Sequence, residues 1–183
     1  SRGLVGSEMC IRDRNKTSKS LLIYLWTLRL YKLLVFKFKN SIGKEIDPIA
    51  YTLNIMERFP DVEIHIGTDS YSLSDQTKYV TAIAYRYKES GVHYIHSKQT
   101  VPKIKDIWTR LWKETELSIQ IAQELKSNKK ISLEIDMDYN EDNRFYSNKL
   151  VSVAKGWANS LGFKVNIKPY RQIATSAADY LSK

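Results

Sequence analysis

The sequence predicts an α/β domain: a five-stranded mixed sheet, three antiparallel strands followed by parallel ones, flanked by helices. Three observations predict it. Runs rich in β-branched and aromatic residues at 62–69, 78–87 and 92–101 follow one another with turn residues between them. Two further runs, 131–137 and 164–167, each follow a helix-length segment that has its own start or stop signal. The 43% apolar share of 183 residues suits one ordinary core and excludes wholesale disorder.

Each element has a local reason. Asp47 to Phe59 is expected as a helix, with Asp47 as N-cap and Pro48 at the first helical position, and Pro60-Asp61 ends it. Val62–Asp69 is the first strand, finishing in Gly67-Thr68-Asp69-Ser70. Lys78–Tyr87 and Val92–Val101 are two more, joined by a hairpin turn at Glu89-Ser90-Gly91. Asp106 caps the clearest helix, which runs to about Ser127. Ile131–Met137 is the fourth strand. Asp142 or Asn143 then starts a helix running to Leu161, and Gly162 stops it. Lys164–Ile167 is the fifth strand, ended by Pro169, and a short helix near Ala174–Leu181 closes the chain. Three hairpin-linked strands, then helix, strand, helix, strand, helix, is the element order of a ribonuclease H-like fold.

Charge lies mostly outside that domain. The chain carries 29 Lys+Arg against 20 Asp+Glu, a net of +9, which suggests an anionic partner such as nucleic acid. From residue 41 onward, however, 20 basic residues face 18 acidic ones. Residues 15–40 supply six basic residues and no acid. Residues 1–14 are expected to be a non-native tail, because Glu8 to Arg14 resembles an in-frame translation of a sequencing-adapter end. Residues 15–36 form an apolar and basic leader, read as an amphipathic helix or translated upstream sequence. Its length and its Arg29 and Lys32 disfavour a membrane span, and no small-residue cleavage site follows it. The domain is assigned to 37–183. The one Cys, Cys10, excludes a disulfide framework and a multi-Cys zinc site, so a cytoplasmic location is expected, with no membrane association.

Within the domain, carboxylates carry the chemical signal. Asp69 ends the first strand, where ligands of open α/β sheets usually sit; the alternative is a turn Asp. On the long helix, Ile107, Leu111, Ser118, Ile121 and Leu125 lie within about 60° of Glu114, whereas Glu116 is about 200° away. A carboxylate on a core-facing stripe is costly unless paired or metal-bound. Glu114 is therefore the unusual residue, with a salt bridge to Arg110 as the alternative. Glu134, Asp136 and Asp138 alternate along the fourth strand and share one face, unless this is merely an exposed edge strand. Asp179 stands in the final helix, where Ser176 to Asp179 also has capping-box spacing. Such oxygen donors suit hard cations such as Mg²⁺ and Mn²⁺, and two ions about 4 Å apart suit phosphodiester cleavage without a protein nucleophile. His65, His93 and His96 show no metal-ligand spacing and are read as ordinary strand residues.

Gly67-Thr68-Asp69-Ser70, Arg110-Leu111 with Glu114 and Ser118, Glu134-Ile135-Asp136-Met137-Asp138, then Gly156, Gly162-Phe163, Lys168-Pro169 and Ala174–Lys183 together resemble the bacterial ribonuclease H-like YkuK family. The match runs from about Phe38 to Lys183. The family comprises predicted nucleases related to Holliday-junction resolvases. The resemblance implies catalytic and metal-ligating roles for Asp69, Glu114, Asp138 and Asp179. The family usually has His where this chain has Asp136, so Asp136 stands as a second candidate ligand beside Asp138. Ser70, Ser147 and Lys168 match family positions too. Ser70, Arg110 and Lys168 are the expected substrate-binding residues, Lys168 as a phosphate contact.

Two basic clusters offer phosphate contacts or solvated faces. One is Arg144, Lys149, Lys155, Lys164, Lys168 and Arg171; the other is Lys98, Lys103, Lys105, Arg110 and Lys113. Trp108, Trp112 and Trp157 suit base stacking, or more ordinarily helix packing. The leading expectation is a nuclease that uses two Mg²⁺ or Mn²⁺ ions on DNA, RNA or a hybrid. The alternatives are a non-catalytic nucleic-acid-binding module of the same fold and a nucleotide-binding phosphotransferase. The last is disfavoured by the lack of a Gly-rich phosphate loop.

Overall fold

Asp47 starts the first helix as its sequence demands. Its carboxylate accepts the Ile49 and Ala50 amides, both at 2.8 Å, ahead of Pro48. Asp106 does the same for the long helix through the Thr109 amide at 2.7 Å. These come from a computed structural model, which describes residues 36–88, 91–127, 131–142, 144–145, 147–170 and 172–182. The expected tail and almost all of the expected leader lie outside the described residues, as do Asn143 and Arg171.

The elements run β1 (Phe38–Lys39), β2 (Glu45–Ile46), α1 (Pro48–Arg58), β3 (Glu63–Ser72), β4 (Gln76–Tyr87), β5 (Gly91–Pro102), α2 (Ile107–Lys126), β6 (Glu134–Asn140), α3 (Asn148–Ser160), β7 (Lys164–Lys168) and α4 (Ala174–Ser182). Among the described residues the sheet has seven strands in the order β2-β1-β5-β4-β3-β6-β7, not five. The two extra strands have two residues each and sit at the β5 edge. Segments that short lack the alternation by which a strand is read from sequence. β3, β4 and β5 pair antiparallel; β6 and β7 run parallel to β3. The result is an α/β fold with a mixed sheet flanked by four helices, consistent with a ribonuclease H-like fold.

Three boundaries differ from expectation. β3 continues through Ser72 because its antiparallel rungs with β4 persist to Ser72↔Thr77, so Asp69 lies inside the strand. β6 begins at Glu134 rather than Ile131, since its parallel rungs with β3 begin at His65↔Glu134. Ile131 and Leu133 are buried without joining that ladder. α3 begins at Asn148, after Ser147, not near Asp142. The Asp142 carboxylate is taken by the Arg144 amide and guanidinium, a local turn that competes with helix entry.

The core is apolar on both sheet faces, with Ile66, Val80, Ile83, Tyr85, Ile95, Leu117, Leu125 and Ile135 almost wholly buried. Side-chain alternation divides β3 between two helices. Thr68 and Ser70 face α2, where Ser118 donates to Thr68 Oγ1 at 2.9 Å. Gly67 faces α4, and a Cβ there would stand 2.7 Å from the Thr175 amide nitrogen. Glycine at 67 is what lets the last helix rest on the strand. Among the described residues, no helix is long and apolar enough to cross a membrane.

Candidate metal centre

The parallel rungs between β3 and β6 end at Gly67↔Asp136, and the β6–β7 register becomes irregular between Asp136 and Asn140. β3 and β6 therefore part beyond Gly67 and Asp136, whereas β6 and β7 pair again at Asn140↔Lys168. Asp69 on β3 and Asp138 on β6 follow that point by two residues each, at the crevice where open α/β sheets bind ligands. α2 crosses one side of it with Glu114, and α4 the other with Asp179.

Glu114 lies where the helical wheel places it, on the buried stripe, with 7% of its surface exposed. Burial pushes its carboxyl up to about 8. Ser70 opposes that shift by donating its hydroxyl to Glu114 Oε1 at 2.5 Å, while the charges of Asp69 and Asp138 add to it. Arg110 acts on Glu114 as a nearby positive charge, its guanidinium donating to Ser72 Oγ at 3.0 Å. Glu116 points outward to Lys113 at 2.9 Å, as expected of a solvated residue.

The Asp69 carboxyl is also raised, first by burial and then by the charges of Asp179 and Asp138. The Ser70 amide and the Ser182 hydroxyl oppose the shift through hydrogen bonds. Glu114, Asp136 and Asp138 line one crevice with Thr68, Ser118 and Tyr139. The four acids inferred from the sequence thus share one electrostatic neighbourhood. Tyr139 ties two of its walls together, donating to the Leu111 carbonyl at 2.8 Å and standing 2.6 Å from Thr115 Oγ1.

The alternating acids of β6 have three separate fates. Glu134 pairs with Lys164 at 2.6 Å and with Asn166 at 2.8 Å. Asp136 is 1% exposed and accepts the amides of Ile173 and Ala174 at 2.7 and 2.8 Å. It also accepts from Asn166 at 3.0 Å and lies 3.2 Å from His65 Nδ1. Asp136 thus anchors the start of α4, a helix whose own sequence offers no N-terminal carboxylate. Of the three, Asp138 is the one whose charge acts on Asp69 and Glu114, and it pairs with Lys168 at 2.5 Å.

Donor chemistry fits a divalent cation: the oxygens are hard, and burial, helped by neighbouring charges, raises two of the carboxyls. The spacing is wider than a ligand set. Among the described residues, no three His, Cys, Asp or Glu side chains converge closely enough to hold a metal ion. Two of the acids are occupied instead by Ser70 and Lys168.

Sequence reasoning missed the His65–Asp136 pair and the Tyr139 brace. The His65 position on β3, level with Glu134 and two residues before Gly67, was the available signal, but it needs the β3–β6 register to be read. The basic clusters are largely spent within the chain. Arg144, Lys155, Lys164 and Lys168 pair with Asp142, Glu141, Glu134 and Asp138. Lys98 donates to the Leu181 carbonyl at 2.8 Å, and Lys149 lies over Trp108. Trp112 and Trp157 stack on each other at 5.3 Å, joining α2 to α3. The Ser147 side chain accepts no helix amide as a cap; its Oγ accepts the Asn140 amide at 3.0 Å. His93 bonds Tyr51 at 2.7 Å, an ordinary strand role.

No curated protein and no solved structure matches the chain. A family model described as ribonuclease H-like matches residues 51–183, which include Asp69, Glu114, Asp138 and Asp179, and the chain belongs to that family, the YkuK family.

Proposed function

We propose that the domain hydrolyses phosphodiester bonds of nucleic acid, with Asp69, Glu114, Asp138 and Asp179 as the residues that would hold two Mg²⁺ or Mn²⁺ ions. The observation that carries this reading is Glu114: a carboxylate buried in the apolar stripe of α2, in the field of Asp69 and Asp138, and held by a single hydroxyl. A buried acid so placed costs stability unless a cation repays it. When bound, the ions would supply Lewis-acid activation of the phosphodiester and of the attacking water.

The chain's residues have distinct tasks in this reading. Asp69 and Asp138, on rigid strands, bind and set the position of the centre. Glu114 gives up its proton on binding and is oriented by Ser70. Asp179 closes the set from α4. Arg110 holds positive charge beside the crevice, suited to a phosphate oxygen.

The test is cleavage of a panel of single-stranded, duplex, hybrid and four-way-junction substrates with Mg²⁺ or Mn²⁺, comparing wild type with Asp69→Asn. Cleavage that disappears with EDTA and with Asp69→Asn is the expected result. A second reading, a non-catalytic nucleic-acid-binding module, is favoured by the spacing of the acids, no three of which converge among the described residues. Substrate binding without cleavage or metal binding would select it.

A further inference from the structure

We propose that Lys168 is a built-in counter-ion of this centre: its ammonium holds Asp138 until a divalent cation displaces it. The inference rests on the metal-site reading above and adds how the site is kept closed. Lys168 Nζ lies 2.5 Å from Asp138 Oδ1. Lys168 is the last residue of β7 and pairs with Asn140 of β6, beyond the register irregularity between the two strands. A lysine from the neighbouring strand thus stands on the β6 acid whose charge acts on Asp69 and Glu114.

Three consequences follow from the charges. First, an ammonium on Asp138 partly neutralises the cluster, in place of a cation and at the same carboxylate. Second, a carboxylate paired with Lys168 is not free to join Asp69 and Glu114 around an ion until the ammonium leaves. Third, the exchange is cheap. The Lys168 side chain is 49% exposed, so its ammonium re-enters water on release, and Asp138 Oδ1, itself buried, makes no hydrogen bond among the described residues that must be broken. Once released, the ammonium remains on a flexible stem beside the centre, a point charge suited to a phosphate oxygen. Lys164 supplies an internal comparison. It makes an equivalent pair with Glu134 at 2.6 Å, on the same strands but with an acid that does not act on Asp69 or Glu114.

Calorimetric titration of Mn²⁺ into the full chain tests the exchange, using wild type, Lys168→Met, Lys164→Met and Asp138→Asn. Lys168→Met should tighten Mn²⁺ binding about two- to fivefold, the worth of a half-exposed ion pair. Lys164→Met should leave it unchanged, and Asp138→Asn should weaken it. In wild type, the lysine ¹³Cε resonance assigned to Lys168 should move as Mg²⁺ saturates the site, a reading that needs no variant to fold. Binding by Lys168→Met where wild type shows none would also support the exchange. Metal binding with an unmoved Lys168 resonance, or equal affinity in wild type and Lys168→Met, would overturn the exchange and leave the metal site standing. Equal tightening by both lysine variants would reduce it to a general charge effect. Absence of binding in wild type and Lys168→Met alike would sink the metal site together with the exchange.

Discussion

Gly67 and Thr175 leave no room between them: a Cβ on Gly67 would stand 2.7 Å from the Thr175 amide nitrogen and 2.8 Å from its Cγ2. The nearest of these atoms is backbone, so the helix itself must move. Gly67→Ala should lift α4 from β3, cost about 1–3 kcal/mol of stability and carry Asp179 away from Asp69. Urea unfolding and the cleavage assay measure the two effects. An alanine variant with wild-type stability would show that α4 adjusts freely.

Asp136 is expected to matter for folding and not for metal. Asp136→Ala leaves the Ile173 and Ala174 amides without their acceptor and should cost about 1–3 kcal/mol. Asp136→Asn keeps an acceptor oxygen and should bind Mn²⁺ much as wild type does, whereas Asp138→Asn should not. Loss of metal binding in the folded Asp136→Asn variant would restore Asp136 as a ligand.

Glu114 makes stability depend on pH. Its carboxyl is raised from 4.5 to about 8 by burial, so the folded state holds a proton that the unfolded chain releases at lower pH. That contribution is complete below the unfolded value and is lost as pH rises to about 8, at no more than about 1.4 kcal/mol per pH unit. Glu114→Gln should therefore flatten the decline between these limits without divalent metal. Urea midpoints across pH 5–9 measure it. A parallel slope in the variant would assign the decline to other groups. Metal binding near pH 7 should release a proton in wild type and less in Glu114→Gln, read from calorimetry in buffers of different ionisation enthalpy.

Tyr139 braces the wall that carries Glu114. Tyr139→Phe removes the hydroxyl between Thr115 and the Leu111 carbonyl and should cost about 1 kcal/mol, read from urea unfolding. Its effect on cleavage should be smaller than that of any of the four acids.

Local chemistry explains why much of this was legible. Caps such as Asp47 and Asp106, the stop at Gly162 and the β-branched runs act over a few residues, so the elements they start or end can be read in order. The helical period put Glu114 on a buried stripe before any tertiary contact was known. The two-residue strands β1 and β2 were not legible, because pairing with β5 rather than local pattern creates them. The late start of α3 was hidden for a similar reason, since the Asp142 side chain prefers a turn with Arg144 to a helix cap.

The sequence by itself determined the order of the main elements, the burial of Glu114 and the distinction between Glu114 and Glu116. Each depends on periodicity or on capping within one segment. Tertiary structure alone decided the fates of the alternating acids Glu134, Asp136 and Asp138. The period of two puts them on one face, but their partners come from β3, β7 and α4, elements distant in the chain. Where the parallel rungs stop, at Gly67↔Asp136, the same alternation that buries Asp136 under a helix leaves Asp138 at the mouth of the crevice, against Lys168.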